Sequence, residues 1–99
     1  RHASYCASKA ALVSITQVLA IEWATKGITV NAVSPTVVET ALGKQAWAGE
    51  VGEAMKKQIP VGRFAQPEEI ASAILYLASG YAGIMTGSNL IIDGGYSVQ

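Results

Sequence analysis

The chain has 99 residues, 51% hydrophobic and only 14% charged, with seven basic and seven acidic side chains and no formal net charge. A typical soluble domain carries about 25% charged residues, and a small one has more surface for its volume, so part of this apolar surface belongs against something else. Scattered cations exclude the basic stripe of a nucleic-acid binder, no apolar run approaches the roughly 20 residues of a membrane span, and a lone cysteine excludes an internal disulfide.

Cys6 also has no ligand-spaced companions, so no metal site is expected, and one cysteine suits a reducing, cytoplasmic setting. The opening Arg1-His2-Ala3-Ser4 carries no signal or targeting pattern. Without an initiator Met, it reads as the start of an internal segment.

The first predicted element is a long helix over residues 4–26, with Ser4 as N-cap and Gly27 as the residue that ends it after Lys26. Ala7, Ala11, Val18 and Ile21 point one way, while Leu12, Ile15, Leu19 and Trp23 spread around another. A helix apolar over most of its circumference is covered on more than one side. Residues 28–33 read as a short strand bounded by Gly27 and Pro35. The order helix, glycine, strand is that of a βαβ crossover and predicts a parallel sheet.

Residues 34–42 read as a loop leaving the carboxyl end of that strand, the edge at which open α/β sheets bind ligands. Residues 43–58 are weakly helical: Trp47, Val51 and Met55 recur every four residues, but Gly49 and Gly52 loosen the segment. Such a piece suits a lid better than a scaffold. Pro67 opens another helix at its first position, with Glu68 and Glu69 in the first turn, and it runs to about residue 78. Residues 90–92 form a short strand stopped by Asp93-Gly94-Gly95. Three helices and two strands are too little for an independent parallel sheet, which needs cover on both faces. The expected fold class is α/β, the tail of a larger doubly wound sheet.

Tyr5 and Lys9 stand at i, i+4 on the first helix, so their side chains share a face. A nearby ammonium favours a phenolate, which makes such a pair usable as an acid or base near neutral pH. On the spacing alone, a half-exposed tyrosine beside a surface lysine is the better explanation.

The wider pattern resembles the short-chain dehydrogenase/reductase family over essentially the whole chain. The carriers are Tyr5-Cys6-Ala7-Ser8-Lys9, Val30-Asn31-Ala32-Val33-Ser34-Pro35, Gly62-Arg63-Phe64 with Pro67-Glu68-Glu69, Thr86-Gly87 and Ile92-Asp93-Gly94-Gly95. The resemblance implies the C-terminal portion of a Rossmann-type fold, residues 1–99 being the catalytic and substrate-binding part of one domain without its dinucleotide-binding half. It implies that Tyr5 is the general acid/base and that Lys9 lowers its pKa and binds the nicotinamide ribose. Pro35, Val38 and Thr40 fall at cofactor-facing positions, though Pro35 and Asn31 also read as fixing the strand end, and a loop-capping threonine is the lesser alternative for Thr40. Trp47 is implied as an apolar wall for substrate, with lid packing as the plain alternative. Thr36 departs from the glycine that the family more often keeps after this proline.

The implied cofactor is NAD, with NADP possible, and the implied partner a small-molecule alcohol or carbonyl substrate in a homodimer or homotetramer. The loop and the carboxyl end look most like bacterial polyol dehydrogenases acting on sugar alcohols such as D-threitol. A 3-oxoacyl carrier-protein reductase is the alternative. Neither the glycine-rich pyrophosphate turn nor the family's upstream catalytic serine occurs in these 99 residues, so the chain by itself is expected to be inactive, persisting by association.

Overall fold

The computed structural model describes residues 2–99; the side chains of His2, Tyr5 and Leu42 lie outside that description. Helix α1 spans His2–Trp23 and tightens into a 3-10 turn over Ala24–Lys26. Ser4, expected as the N-cap, instead lies inside α1, where its carbonyl accepts a 2.9 Å hydrogen bond from Ser8 Oγ. Thr16 satisfies its buried hydroxyl in the same way, on the Leu12 carbonyl at 2.8 Å. Gly27 ends the helix as expected, at φ +74°, its N–H returning to the Ala24 carbonyl.

Strands β1 (Ala32–Pro35) and β2 (Asn89–Ile92) form a two-stranded parallel sheet. The Ala32 N–H donates to the Ser88 carbonyl at 2.9 Å and the Thr36 N–H to the Ile92 carbonyl at 3.2 Å, so partners advance in step. The strand expected at 28–33 therefore starts and ends later. In this register residues 28–31 face the stretch 84–87, which is still turning, and the ladder forms only once β2 is extended. Pro35 is tolerated because alternate residues of a parallel strand face opposite edges. Ala32 and Thr36 direct their N–H groups to β2, and the donor that Pro35 lacks would point away from it.

The chain divides into two compact units, Arg1–Ala32 with Leu75–Leu90, and Val33–Ile74 with Ile91–Gln99. In the first, Thr16, Ala20, Ala32 and Ala82 are buried. Asn31 ties this unit together: its Nδ2 donates to the Met85 carbonyl and its Oδ1 accepts from the Ser88 N–H. Leu12, Ile15, Val18 and Ile21 on α1 are all at least half exposed, so the apolar circumference read from sequence is largely uncovered in the chain itself.

In the second unit Ile59 and Phe64 are the buried large side chains. The weak helix expected over 43–58 is two helices, α2 (Ala41–Ala46) and α3 (Gly49–Lys57), which makes four helices rather than three. Gly49 sits at φ +70°, a conformation no helix can pass through, and so the break falls just before it. Helix α4 (Pro67–Ala78) has the predicted bounds and the predicted acidic first turn. Among the described residues no helix is long and apolar enough to cross a membrane, and no cluster of His, Cys, Asp or Glu is placed to hold a metal.

Candidate active site

The two residues with acid/base chemistry both lie on α1, an uninterrupted helix over both positions, so the i, i+4 spacing is real. Lys9 is half-buried, and the Tyr5 side chain lies outside the described residues. Nothing in the first unit breaks the helix between them, and Ser8 is held back against the helix by its bond to the Ser4 carbonyl.

In the second unit, the segment after β1 is held by a short parallel bridge between Val38 and Ala65. The Ala65 N–H donates to the Val37 carbonyl at 3.0 Å, and the Glu39 N–H donates to the Ala65 carbonyl at 2.8 Å. The chain then turns at Thr40, which caps α2: its Oγ1 accepts the Gly43 N–H at 2.9 Å. This satisfies an orphan donor of the first turn. Capping uses a lone pair of the hydroxyl and leaves its proton for a second partner.

Val38 and Trp47 line one cleft of about 80 Å³, together with Glu39, Lys44, Lys56 and Phe64. The Trp47 ring packs edge-on against Phe64, centroids 5.9 Å apart at 61°. The Lys56 ammonium lies 5.3 Å from the Phe64 ring centroid and pairs with Glu53 at 3.0 Å. Lys56 is thus a packed cation over an aromatic face. Its neighbour Lys57 is exposed.

In the same unit, Arg63 pairs with Glu69 at the surface. Their side chains form a fork, Nη1 to Oε1 at 2.7 Å and Nη2 to Oε2 at 2.8 Å. Glu69 Oε1 also accepts the Gln66 N–H at 2.8 Å, just ahead of α4. Hydrogen bonding from Arg63 comes first, and that amide second, in drawing the Glu69 carboxyl from its ordinary 4.5 down to about 2. The same bonds raise the Arg63 pKa. Gln66 Nε2 reaches the Glu39 carboxylate at 3.0 Å, and Lys44 stands 3.7 Å from the same carboxylate.

The structure therefore gathers Val38 and Trp47 at one cleft, puts Thr40 at the adjoining cap, and places Tyr5 with Lys9 on α1. Pro35 closes β1. Sequence reasoning missed Phe64, Glu39 and Lys56. Glu39 simply follows Val38 in the chain, whereas Lys56 and Phe64 reach the cleft only because the chain folds back between residues 41 and 64, and no spacing pattern announces such a reversal.

The comparisons with known proteins agree with one another. A family model described as Enoyl-(Acyl carrier protein) reductase matches residues 1–97. The chain is 64% identical over its full length to the NAD-dependent glycerol dehydrogenase of Listeria innocua, covering 39% of that protein. It is 52% identical to the D-threitol dehydrogenase of Mycolicibacterium smegmatis, again over its full length and covering 38% of that protein. The chain thus spans about two fifths of the length of these curated relatives. Among solved structures, a doubly substituted Serratia marcescens short-chain dehydrogenase/reductase superposes with a TM-score of 0.89 at 42% identity, over 96% of this chain and 38% of that one. Of two similar structures, one from Agrobacterium tumefaciens holds NADP and a 4-hydroxyisoleucine dehydrogenase holds NADH. The carriers of the sequence resemblance all fall inside the matched span, and the chain belongs to the short-chain dehydrogenase/reductase family.

Proposed function

We propose that these residues form the acid/base and substrate part of an NAD(P)-dependent oxidoreductase that interconverts a small polyol and its carbonyl compound. The observation that carries the reading is the placement of Tyr5 and Lys9 one turn apart on the unbroken helix α1. The names of the glycerol and D-threitol dehydrogenases, similar over the full chain, support a small polyol as substrate. The described donors suit the nicotinamide end of such a cofactor: a half-buried ammonium at Lys9 for ribose hydroxyls, and a hydroxyl proton at Thr40 for a carbonyl oxygen.

When bound, the nicotinamide supplies the hydride acceptor or donor. In the oxidative direction the Tyr5 phenolate takes the proton of the substrate hydroxyl as the carbon gives up hydride. The Lys9 ammonium stabilises that phenolate and so sets the pH at which Tyr5 works. In reduction Tyr5 returns the proton to the forming alkoxide. Pro35 and Val38 shape the cofactor side of the loop, Trp47 offers an apolar wall to the substrate carbons, and cofactor preference between NAD and NADP belongs to residues outside these 99.

A second reading is reduction of a 3-oxoacyl carrier protein; the matching family model is described by a different carrier-protein reaction, enoyl reduction, and so supports only the carrier-protein class of substrate. Without a glycine-rich turn to seat the pyrophosphate, the 99 residues by themselves form no productive dinucleotide site, and we expect no turnover from them alone.

A chimera tests both statements. The 99 residues replace the matching stretch of the Listeria glycerol dehydrogenase, and NADH formation is followed with glycerol and D-threitol. The expected result is turnover by the chimera, none by the 99-residue chain, and a loss of about 10³-fold in kcat for Tyr5→Phe. Turnover by the Tyr5→Phe chimera at the parent rate removes Tyr5 from the mechanism. Activity only with a 3-oxoacyl thioester and NADPH transfers the assignment to the second reading.

A further inference from the structure

We propose that the Arg63–Glu69 ion pair is a positioning device for the 37–40 segment, acting through Ala65. The inference rests on the reading that Val38 and Thr40 face the nicotinamide.

Ala65 carries the backbone bridge between the 37–40 segment and the chain that leads into α4. It receives the Glu39 N–H at its carbonyl and gives its own N–H to Val37. A single bridge of two hydrogen bonds is weak by itself, since each replaces a bond to water and gains little net. Its order depends on how firmly Ala65 is held, and the ion pair holds both of its neighbours. On one side, Arg63 Nη1 donates to the Phe64 carbonyl at 3.2 Å. On the other, Glu69 Oε1 accepts the Gln66 N–H at 2.8 Å. The fork between the two side chains closes the bracket, so the peptide groups flanking Ala65 cannot turn without breaking a charge-assisted bond.

A second line runs through Gln66, whose side-chain amide reaches Glu39 directly. Helix capping alone would require only Glu69 and the Gln66 N–H. It does not require a bidentate arginine that also grips the Phe64 carbonyl, nor a glutamine turned toward Glu39. Those extra bonds all converge on the one bridge that carries Val38. Arg63 and Glu69 touch no reacting atom and act through Ala65 and its neighbour Gln66.

The test reads amide hydrogen exchange by NMR in the protein, at Glu39 and Ala65, with Ala32 as reference because its N–H bonds to Ser88. Arg63→Ala should speed exchange at Glu39 and Ala65 about tenfold and leave Ala32 within twofold. Glu69→Gln keeps an acceptor for Gln66 but loses the charge, and should give a smaller rise at the same two amides. Should Arg63→Ala fail to fold, Arg63→Lys, which keeps the charge and loses the fork, gives the same readout at lower amplitude. Unchanged exchange at Glu39 and Ala65, or an equal rise at Ala32, overturns the proposal. In the chimera, Arg63→Lys should raise KM for the nicotinamide cofactor about fivefold with kcat within twofold, whereas a fall in kcat at constant KM also overturns it. A chimera with no activity on any substrate removes the functional reading, and the exchange pattern still decides the clamp.

Discussion

Glu69 makes the Arg63 pair visible to pH. Its carboxyl is held at about 2 against an ordinary 4.5, so it keeps its charge in the folded chain where the unfolded chain would take up a proton. A carboxylate with a depressed pKa contributes stability above its unfolded value, and that contribution disappears as pH falls through the folded one. The expected outcome is a Tm difference between the parent and Glu69→Gln that is constant at neutral pH and closes between about pH 4.5 and 2. A difference that persists unchanged below that window would mean another group carries the effect. Because both side chains are exposed and screened, added salt should narrow the difference as well.

At the scale of the element, α2 depends on its cap. It has only six residues, no acidic residue in its first turn, and the Thr40 hydroxyl as the acceptor for its Gly43 N–H. A helix this short has no stability of its own. Thr40→Ala is expected to cost about 1 kcal/mol in urea unfolding, and Thr40→Ser to restore most of it. In the chimera the two variants separate capping from cofactor contact. If the hydroxyl also serves the nicotinamide, Thr40→Ala raises cofactor KM beyond what stability explains, and Thr40→Ser recovers it. Loss of stability with unchanged KM would leave Thr40 as a cap.

For the whole molecule the dominant quantity is uncovered apolar surface. Leu12, Ile15, Val18 and Ile21 on α1, Leu75 near the end of α4, and Ile91 on β2 are each about half exposed or more. At about 25 cal/mol per Å² of apolar area removed from water, covering even a few of these side chains is worth several kcal/mol. The chain is therefore expected to associate through these faces, and light scattering after size exclusion at micromolar concentration checks it. Val18→Glu with Ile21→Glu should shift the distribution toward smaller species. A monodisperse monomer of the parent would refute the expectation.

What was legible in the sequence was what local chemistry dictates. Gly27 had to end α1, Pro67 had to open α4 with Glu68 and Glu69 behind it, and Tyr5 and Lys9 had to share a helix face, because each depends only on backbone preference and 3.6-residue periodicity. The family, too, was legible, since its motifs are short and occur in order. The strand limits were not, because a ladder exists only where its partner is also extended, and the partner of 28–31 turns. Nor was the fastening of Val38: Ala65, Gln66 and Glu39 meet across some 27 positions of chain, and no periodicity reports a contact of that separation. Tertiary structure alone decided which charges pair, which aromatic seats Trp47, and that Lys56 lies over a ring, for these depend on where the chain returns rather than on what it is locally.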